Sequence, residues 1–228
     1  MNLLTNRTWR LPFIAAGVAM AIGGRLHPEA DADQPLGEEL ATMTAGDTWV
    51  LSHSLIAFGT ALLVLGLWTA HWNRSWPVTT HRALRVGAAA MSLYLVETIF
   101  HLGAVVDADA LANGDFAPVT LIHLALSILL YPATGFAMVW LAARQIGAVD
   151  LPRKIFGVVG VLGGAMHAAS VPLTMVLPDT ELSPVFAGAG LLFSAWAVGT
   201  GLTGMPRPAT PRHLGPDSAS SQHTLARA

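Results

Sequence analysis

The sequence predicts an all-α integral membrane protein with six transmembrane helices, and three observations support this fold class. First, 53% of the 228 residues are hydrophobic and only 11% are charged, whereas a soluble domain carries about 25% charged residues. Second, the mean hydropathy is +0.54. Third, the chain contains a series of apolar runs close to the roughly 20 residues that a helix needs to cross a bilayer.

The predicted spans make up a single polytopic membrane domain, residues 1–204. We place them at about residues 11–24, 48–72, 83–106, 117–143, 155–177 and 184–204. The last five are long enough to cross about 30 Å of hydrocarbon at about 1.5 Å per residue.

The first apolar run is short and has a second interpretation. Arg7 and Arg10 precede it, and the triplet Ala19-Met20-Ala21 follows a modest apolar core. This order is also typical of a cleavable signal peptide, and five spans would remain after cleavage. We favour retention as a transmembrane helix, because the apolar core is unusually short for a signal.

Two further segments lie outside the spans. Residues 25–47 form a long acidic loop, in which we predict a short helix around Leu36–Thr44. Residues 205–228 are rich in Pro, Ser and Ala and are predicted to be a disordered cytoplasmic tail.

The basic residues predict the orientation of the chain in the cell membrane. If every span crosses once, all Lys and Arg residues except Arg25 fall on one side. The positive-inside rule therefore places both termini, residues 73–82 and residues 144–154 in the cytoplasm. The opposite connections are acidic and carry no basic patch, which argues against nucleic-acid binding there.

Several kinds of site are excluded by residue type or by motif. The chain has no cysteine, so disulfides, thiolate metal sites and Cys nucleophiles cannot occur. It also lacks a P-loop, a dinucleotide fingerprint, an HExxH zinc motif and an EF-hand pattern.

Four of the nine histidines lie inside predicted spans, one in each central span: His53, His101, His123 and His167. The first three lie about 8 Å from the outer ends of their helices, and His167 lies about 15 Å deep. Glu97 precedes His101 by one helical turn, on the same helix face and at the deeper level. Because ionisable side chains are costly in a bilayer, such residues indicate a functional site.

The order of these histidines predicts a central four-helix bundle made of spans two to five. Spans two and three form one hairpin with a histidine near its outer start and another near its outer end, and spans four and five repeat this order. We expect the four histidines and Glu97 to converge in the outer half of the bilayer.

Imidazole is the commonest metal ligand, and in its neutral form it avoids the cost of burying a charge. In a metal site, His53, His101 and His123 would bind a transition metal ion, with Glu97 or His167 as a further ligand. In a haem site, two facing histidines would hold a b-type haem axially. The structural alternative is that each histidine only forms a hydrogen bond to a neighbouring helix.

The remaining histidines have simpler interpretations. His27 lies just outside the first span and is expected to be a solvated loop residue, with capping of the site as the alternative. His71 and His81 are expected to lie at the cytoplasmic interface.

These observations predict metal- or haem-dependent redox chemistry or electron transfer in the membrane. Whether the chain is an enzyme stays open; an enzyme of this kind would be an oxidoreductase that acts with a membrane redox partner or a small apolar substrate. Zinc-activated water is a further option. The alternatives are a proton-coupled transporter of a small solute or cation that uses the same groups, and a structural subunit of a membrane complex.

Overall fold

The computed structural model describes residues 7–28, 34, 36–148, 150–177, 180 and 182–205. Every regular element in this part of the chain is helical. The α-helices are α1 (Arg10–Arg25), α2 (Leu36–Thr44), α3 (Trp49–Trp72), α4 (His81–Gly103), α5 (Ala108–Ala112), α6 (Pro118–Ile146), α7 (Leu151–Val176) and α8 (Ser183–Thr203). Short 3₁₀ turns precede α4 and join it to α5. The predicted disordered tail lies outside the described residues from residue 206 onwards.

Within the described residues, five helical segments are long and apolar enough to cross a membrane: α3, the stretch Val78–Ala112 (which contains α4 and α5), α6, α7 and α8. The prediction of an all-α chain is therefore confirmed for the described residues, and the five candidate spans are compatible with a multi-pass membrane protein. The helix α1 has 16 residues, which corresponds to about 24 Å at the helical rise. The short helix predicted in the acidic loop is present as α2.

The six long helices pack as a closed ring in the order α1, α3, α4, α6, α7 and α8, and α8 packs back against α1. Neighbouring helices run antiparallel. Gly23 near the end of α1 lies against Ser52 near the start of α3, and Gly66 near the end of α3 lies against Phe13 near the start of α1. A bundle of spans two to five would bring α3 and α7 together, but these two helices are not among the pairs that pack extensively. The predicted four-helix bundle is thus not confirmed, because α1 and α8 pack between α3 and α7.

Glycines allow the closest approaches between helices in this ring. A Cβ atom on Gly135 of α6 would lie 2.5 Å from the carbonyl oxygen of Gly164 and from the backbone nitrogen of Ala168, both in α7. A Cβ atom on Gly17 of α1 would lie 2.5 Å from the carbonyl oxygen of Ser194 in α8. Small residues permit such contacts in lipid, where close packing rather than water exclusion holds helices together.

One buried polar group in the ring has a purely structural arrangement. The side chain of Gln145 is fully buried. Its Oε1 accepts a hydrogen bond from the Trp196 indole at 2.8 Å, and its Nε2 donates one to Thr200 Oγ1 at 3.0 Å. Gln145 thus joins α6 to α8 with a hydrogen-bond partner at each end of its amide.

Candidate metal centre

Four of the five predicted site residues meet at one end of the ring, where α3 and α6 begin and α4 ends. We call this the acidic end, because its connections carry exposed carboxylates such as Asp109 and Asp115. The opposite end, with Arg74 and Arg153, is called the basic end.

Glu97 lies at the centre of this group and is fully buried. Its Oε1 accepts a hydrogen bond from Ser127 Oγ at 2.9 Å and lies 2.8 Å from Nδ1 of His123. Nδ1 of His101 lies 3.9 Å from the same oxygen, beyond hydrogen-bonding distance. The second oxygen, Oε2, is buried without a hydrogen-bond partner. Because an unpaired buried carboxylate oxygen is costly, a cation bound beside it would remove an energetic penalty.

Three histidines from three helices form a continuous row beside Glu97. The ring centroid of His101 lies 4.0 Å from that of His123, in a stacked arrangement, and 4.4 Å from that of His53. Glu97, His101 and His123 each offer one ligand atom, and these atoms lie within 4.8 Å of one another. Two ligands of a tetrahedral ion with bonds of about 2.0 Å lie about 3.3 Å apart. If side-chain movements shortened the separations between the three ligand atoms from at most 4.8 Å to about 3.3 Å, all three residues would bind one ion.

His53 has the surroundings of a metal ligand. Its Nδ1 donates a hydrogen bond to the Trp49 carbonyl oxygen at 2.8 Å, so the lone pair lies on Nε2. That atom is buried and has no hydrogen-bond partner. Metal-binding histidines commonly donate their other ring N–H to a carbonyl group, which fixes the tautomer and the ring orientation.

Trp49 fixes the position of His53 relative to α4. The two rings stack with their centroids 3.9 Å apart. The indole Nε1 of Trp49 donates a hydrogen bond to the Leu102 carbonyl oxygen at 3.3 Å. Leu102 adjoins His101, so this bond connects the start of α3 to the His101 end of α4.

His27 also belongs to this group, which the interpretation as a solvated loop residue did not anticipate. It follows α1 directly, and its ring centroid lies 4.8 Å from that of His53. His27, His53 and His101 form a second set whose ligand atoms lie within 4.8 Å of one another. Nδ1 of His27 is hydrogen-bonded to the Pro28 carbonyl oxygen at 2.7 Å, and burial lowers the pKa of His27 below its usual value. The ring therefore favours the neutral form, which is the form that binds metals.

His167 lies apart from the other predicted ligands. Its ring stacks on Tyr131 at a centroid distance of 4.4 Å and meets Tyr94 edge-on at 4.9 Å. It belongs to neither set of ligand atoms, although its Nε2 is buried without a hydrogen-bond partner. The structure thus brings together His53, His101, His123 and Glu97, and places His167 in an aromatic pocket.

Asp107 determines where α6 begins relative to the end of α4. Its buried carboxylate accepts a hydrogen bond from the backbone N–H of Thr120 at 2.8 Å. This N–H belongs to the first turn of α6, where it has no partner within the helix. The bond therefore sets the height of His123 against His101 across the α4–α6 interface.

No model of a known protein family matches the chain, and neither a curated protein nor a solved structure matches it significantly. The identification of a site therefore rests on the geometry of Glu97 and the surrounding histidines.

Proposed function

We propose that this chain is a multi-pass cell-membrane protein that binds a divalent transition metal ion at Glu97, His101 and His123 and uses it in redox chemistry. The observation that supports this most strongly is the buried carboxylate of Glu97, with one oxygen 2.8 Å from a histidine nitrogen and the other unpartnered. A structural polar group in the same fold, Gln145, has both ends of its amide paired. Glu97 differs because its unpaired oxygen is available to a ligand.

The ligand set narrows the choice of metal. Two imidazoles and one carboxylate, with open positions, are the ligands of many non-haem iron(II) oxidation sites. The same combination also binds catalytic zinc. Oxidisable rings lie near the set, as a redox site could use: Trp49 stacks on His53, and Tyr94 and Tyr131 contact each other.

In this proposal each residue has a defined role. Glu97 supplies the negative charge that offsets the ion, and His101 and His123 supply nitrogen ligands. Ser127 orients the carboxylate through its hydrogen bond to Oε1. A bound ion would supply redox chemistry towards water, dioxygen or a small apolar substrate held beside it.

A metal ion suits this group better than a haem. Axial histidines of one haem are separated by the macrocycle, which lies between their rings. The rings in the row are only 4.0 and 4.4 Å apart, so a haem would require α3, α4 and α6 to separate. A b-type haem is therefore our second choice of cofactor.

We further propose that α1 is a sixth span and that both termini are cytoplasmic. The packing of α1 supports a sixth span more strongly than its length does, because α1 occupies the place in the ring between α3 and α8. The basic residues around the start of α1, after α3, in the α6–α7 connection and in the sequence after α8 support the orientation. In this orientation the metal centre lies near the outer surface.

Metal analysis of the detergent-purified protein tests the proposal. Wild-type protein exposed to Fe²⁺, Cu²⁺ or Zn²⁺ and then desalted should retain metal, and Glu97→Gln and His123→Ala should retain less metal per chain than wild type. His71→Ala, at the other end of α3, is the matched control and should retain metal as wild type does. Retention of Zn²⁺ alone, with neither Fe²⁺ nor Cu²⁺ retained, would reject redox chemistry in favour of hydrolysis. No retention of any of the three ions would reject the metal centre.

A transporter remains the alternative, and the histidine row favours it in one respect. The row extends from His27 at the acidic end towards Glu97, as a proton or cation pathway requires. Among the described residues, however, the helices carry no further carboxylate between Glu97 and the basic end. Metal uptake into proteoliposomes that depends on Glu97 would support transport, whereas binding without uptake would oppose it.

A further inference from the structure

The same kind of hydrogen bond holds the rings of His27 and His53 in a tautomer that can bind a metal ion. In each residue Nδ1 is hydrogen-bonded to a backbone carbonyl oxygen, of Pro28 at 2.7 Å and of Trp49 at 2.8 Å. A carbonyl oxygen can only accept, so each ring carries its proton on Nδ1 and its lone pair on Nε2. Nε2 of His53 is buried without a partner, and His53 itself is only 2% exposed.

These residues do not belong to the same set as Glu97. The ligand atoms of His27, His53 and His101 lie within 4.8 Å of one another, as do those of Glu97, His101 and His123. His101 is the residue common to the two sets. We therefore propose a second metal position, formed by His27, His53 and His101, on the acidic-end side of the first.

His101 has the geometry of a bridge between the two positions. Its Nδ1 is the atom nearest Glu97, at 3.9 Å. An imidazole has a second nitrogen, Nε2, on the opposite side of its ring, and in this proposal that atom binds the ion held by His27 and His53. When both positions are filled, each ring nitrogen binds one ion, and the N–H proton of His101 is released to solvent.

The two positions differ in the ions that suit them. The second position offers three neutral imidazoles and no carboxylate, a set that favours Cu²⁺ and Zn²⁺. The first position includes the Glu97 carboxylate, which also accommodates harder ions such as Fe²⁺ and Mn²⁺. An ion that arrives from the acidic end meets the second position first.

The inference rests on the proposed function, because the two positions share His101, but the number of bound ions separates the two claims. Metal-free protein in detergent is loaded with excess Zn²⁺, desalted and assayed for zinc per chain. Wild type and the His71→Ala control should retain two ions. His27→Ala and Glu97→Gln should each retain one, and His101→Ala should lose most of both.

Fewer than two bound Zn²⁺ ions per wild-type chain would contradict the second position. One ion in wild type that is unaffected by His27→Ala but lost in His123→Ala would overturn the second position and leave the proposed function intact. No ion in wild type would overturn both.

Loading wild type with Cu²⁺ provides a measurement that needs no variant. Two ions that share one imidazole interact magnetically, so electron paramagnetic resonance should detect a coupled pair at two equivalents of copper. Two isolated signals would place the second ion elsewhere and overturn the proposal.

Discussion

Oε1 of Glu97 lies 2.8 Å from Nδ1 of His123, although the two residues belong to different helices. Ser127, one turn after His123, donates a hydrogen bond to the same oxygen. The α4–α6 interface thus holds a carboxylate against an imidazole deep among apolar residues. Burial of these two groups is unfavourable when no ligand is bound, whereas a bound cation would interact favourably with both of them.

Replacement of Glu97 by Gln separates the unfavourable burial of the charge from its role in metal binding. The amide oxygen of Gln still accepts a hydrogen bond from Ser127, but the negative charge of the Glu97 carboxylate is lost. We expect metal-free Glu97→Gln protein to be as stable as wild type or more stable, and added Zn²⁺ to raise the unfolding temperature of wild type more than that of the variant. Thermal unfolding in detergent, with and without Zn²⁺, measures both. An equal Zn²⁺-induced shift in the two proteins would contradict a role for the carboxylate.

His167→Ala should retain bound metal, because the ring of His167 lies against Tyr94 and Tyr131 and in neither ligand set. Zinc per chain, compared with His123→Ala, is the measurement. If His167→Ala lost metal as completely as His123→Ala, the ring would have to reach the centre, as the sequence pattern predicted.

Asp107→Ala should lower stability by about 1 kcal/mol, the usual effect of removing a carboxylate that caps a helix N-terminus. It should also weaken metal binding, because His123 loses its fixed height against His101. Asp107→Asn retains an acceptor and should recover most of both. The exposed Asp109→Ala is the control, and an equal effect there would point to surface charge rather than to the cap.

Gly135→Ala should destabilise the α6–α7 interface by about 1–3 kcal/mol, the usual range for an overpacked core. The added methyl group would meet backbone atoms of Gly164 and Ala168 at 2.5 Å, and backbone cannot move aside as a side chain can. Gly190→Ala in α8 is the control, since no atom lies within 4 Å of its added Cβ. Unfolding in detergent that affects both variants equally would contradict the close packing.

Cysteines introduced in this cysteine-free chain test the orientation. Asn73 lies in the α3–α4 connection at the basic end and Asn113 in the α5–α6 connection at the acidic end, and both side chains are exposed. On intact cells an impermeant thiol reagent should label Asn113→Cys and not Asn73→Cys. The opposite result would reverse the topology and place the centre near the cytoplasm.

Hydrophobic run length predicted the helices well, because a helix in lipid ends where the apolar residues end. The second span was predicted at residues 48–72, and α3 runs from Trp49 to Trp72. The short helix predicted around Leu36–Thr44 is found as α2.

The direction in which each residue faces was harder to predict than its depth. Glu97 and His167 were predicted at similar depths, but Glu97 meets His123 while His167 meets Tyr131. Depth follows from residue number along a helix, whereas the direction of a side chain depends on which helices are neighbours. The convergence of His101 and His123 was predicted, but the ring order was not apparent from the sequence, so the separate position of His167 was not. His27 was underestimated because a residue beyond a helix end has no periodicity to indicate what it faces.

The closed ring has a consequence for how the protein is made. Every residue of the candidate centre, from His27 to Ser127, is synthesised before α7 and α8, and these two helices then complete the circle by packing against α6 and α1. Membrane insertion proceeds from the N-terminus, so a nascent chain that ends after α6 already contains both ligand sets while one side of the ring is still open. Neither set of ligand atoms includes a residue of α7 or α8. These two helices therefore close the ring after every residue of the candidate centre has been synthesised.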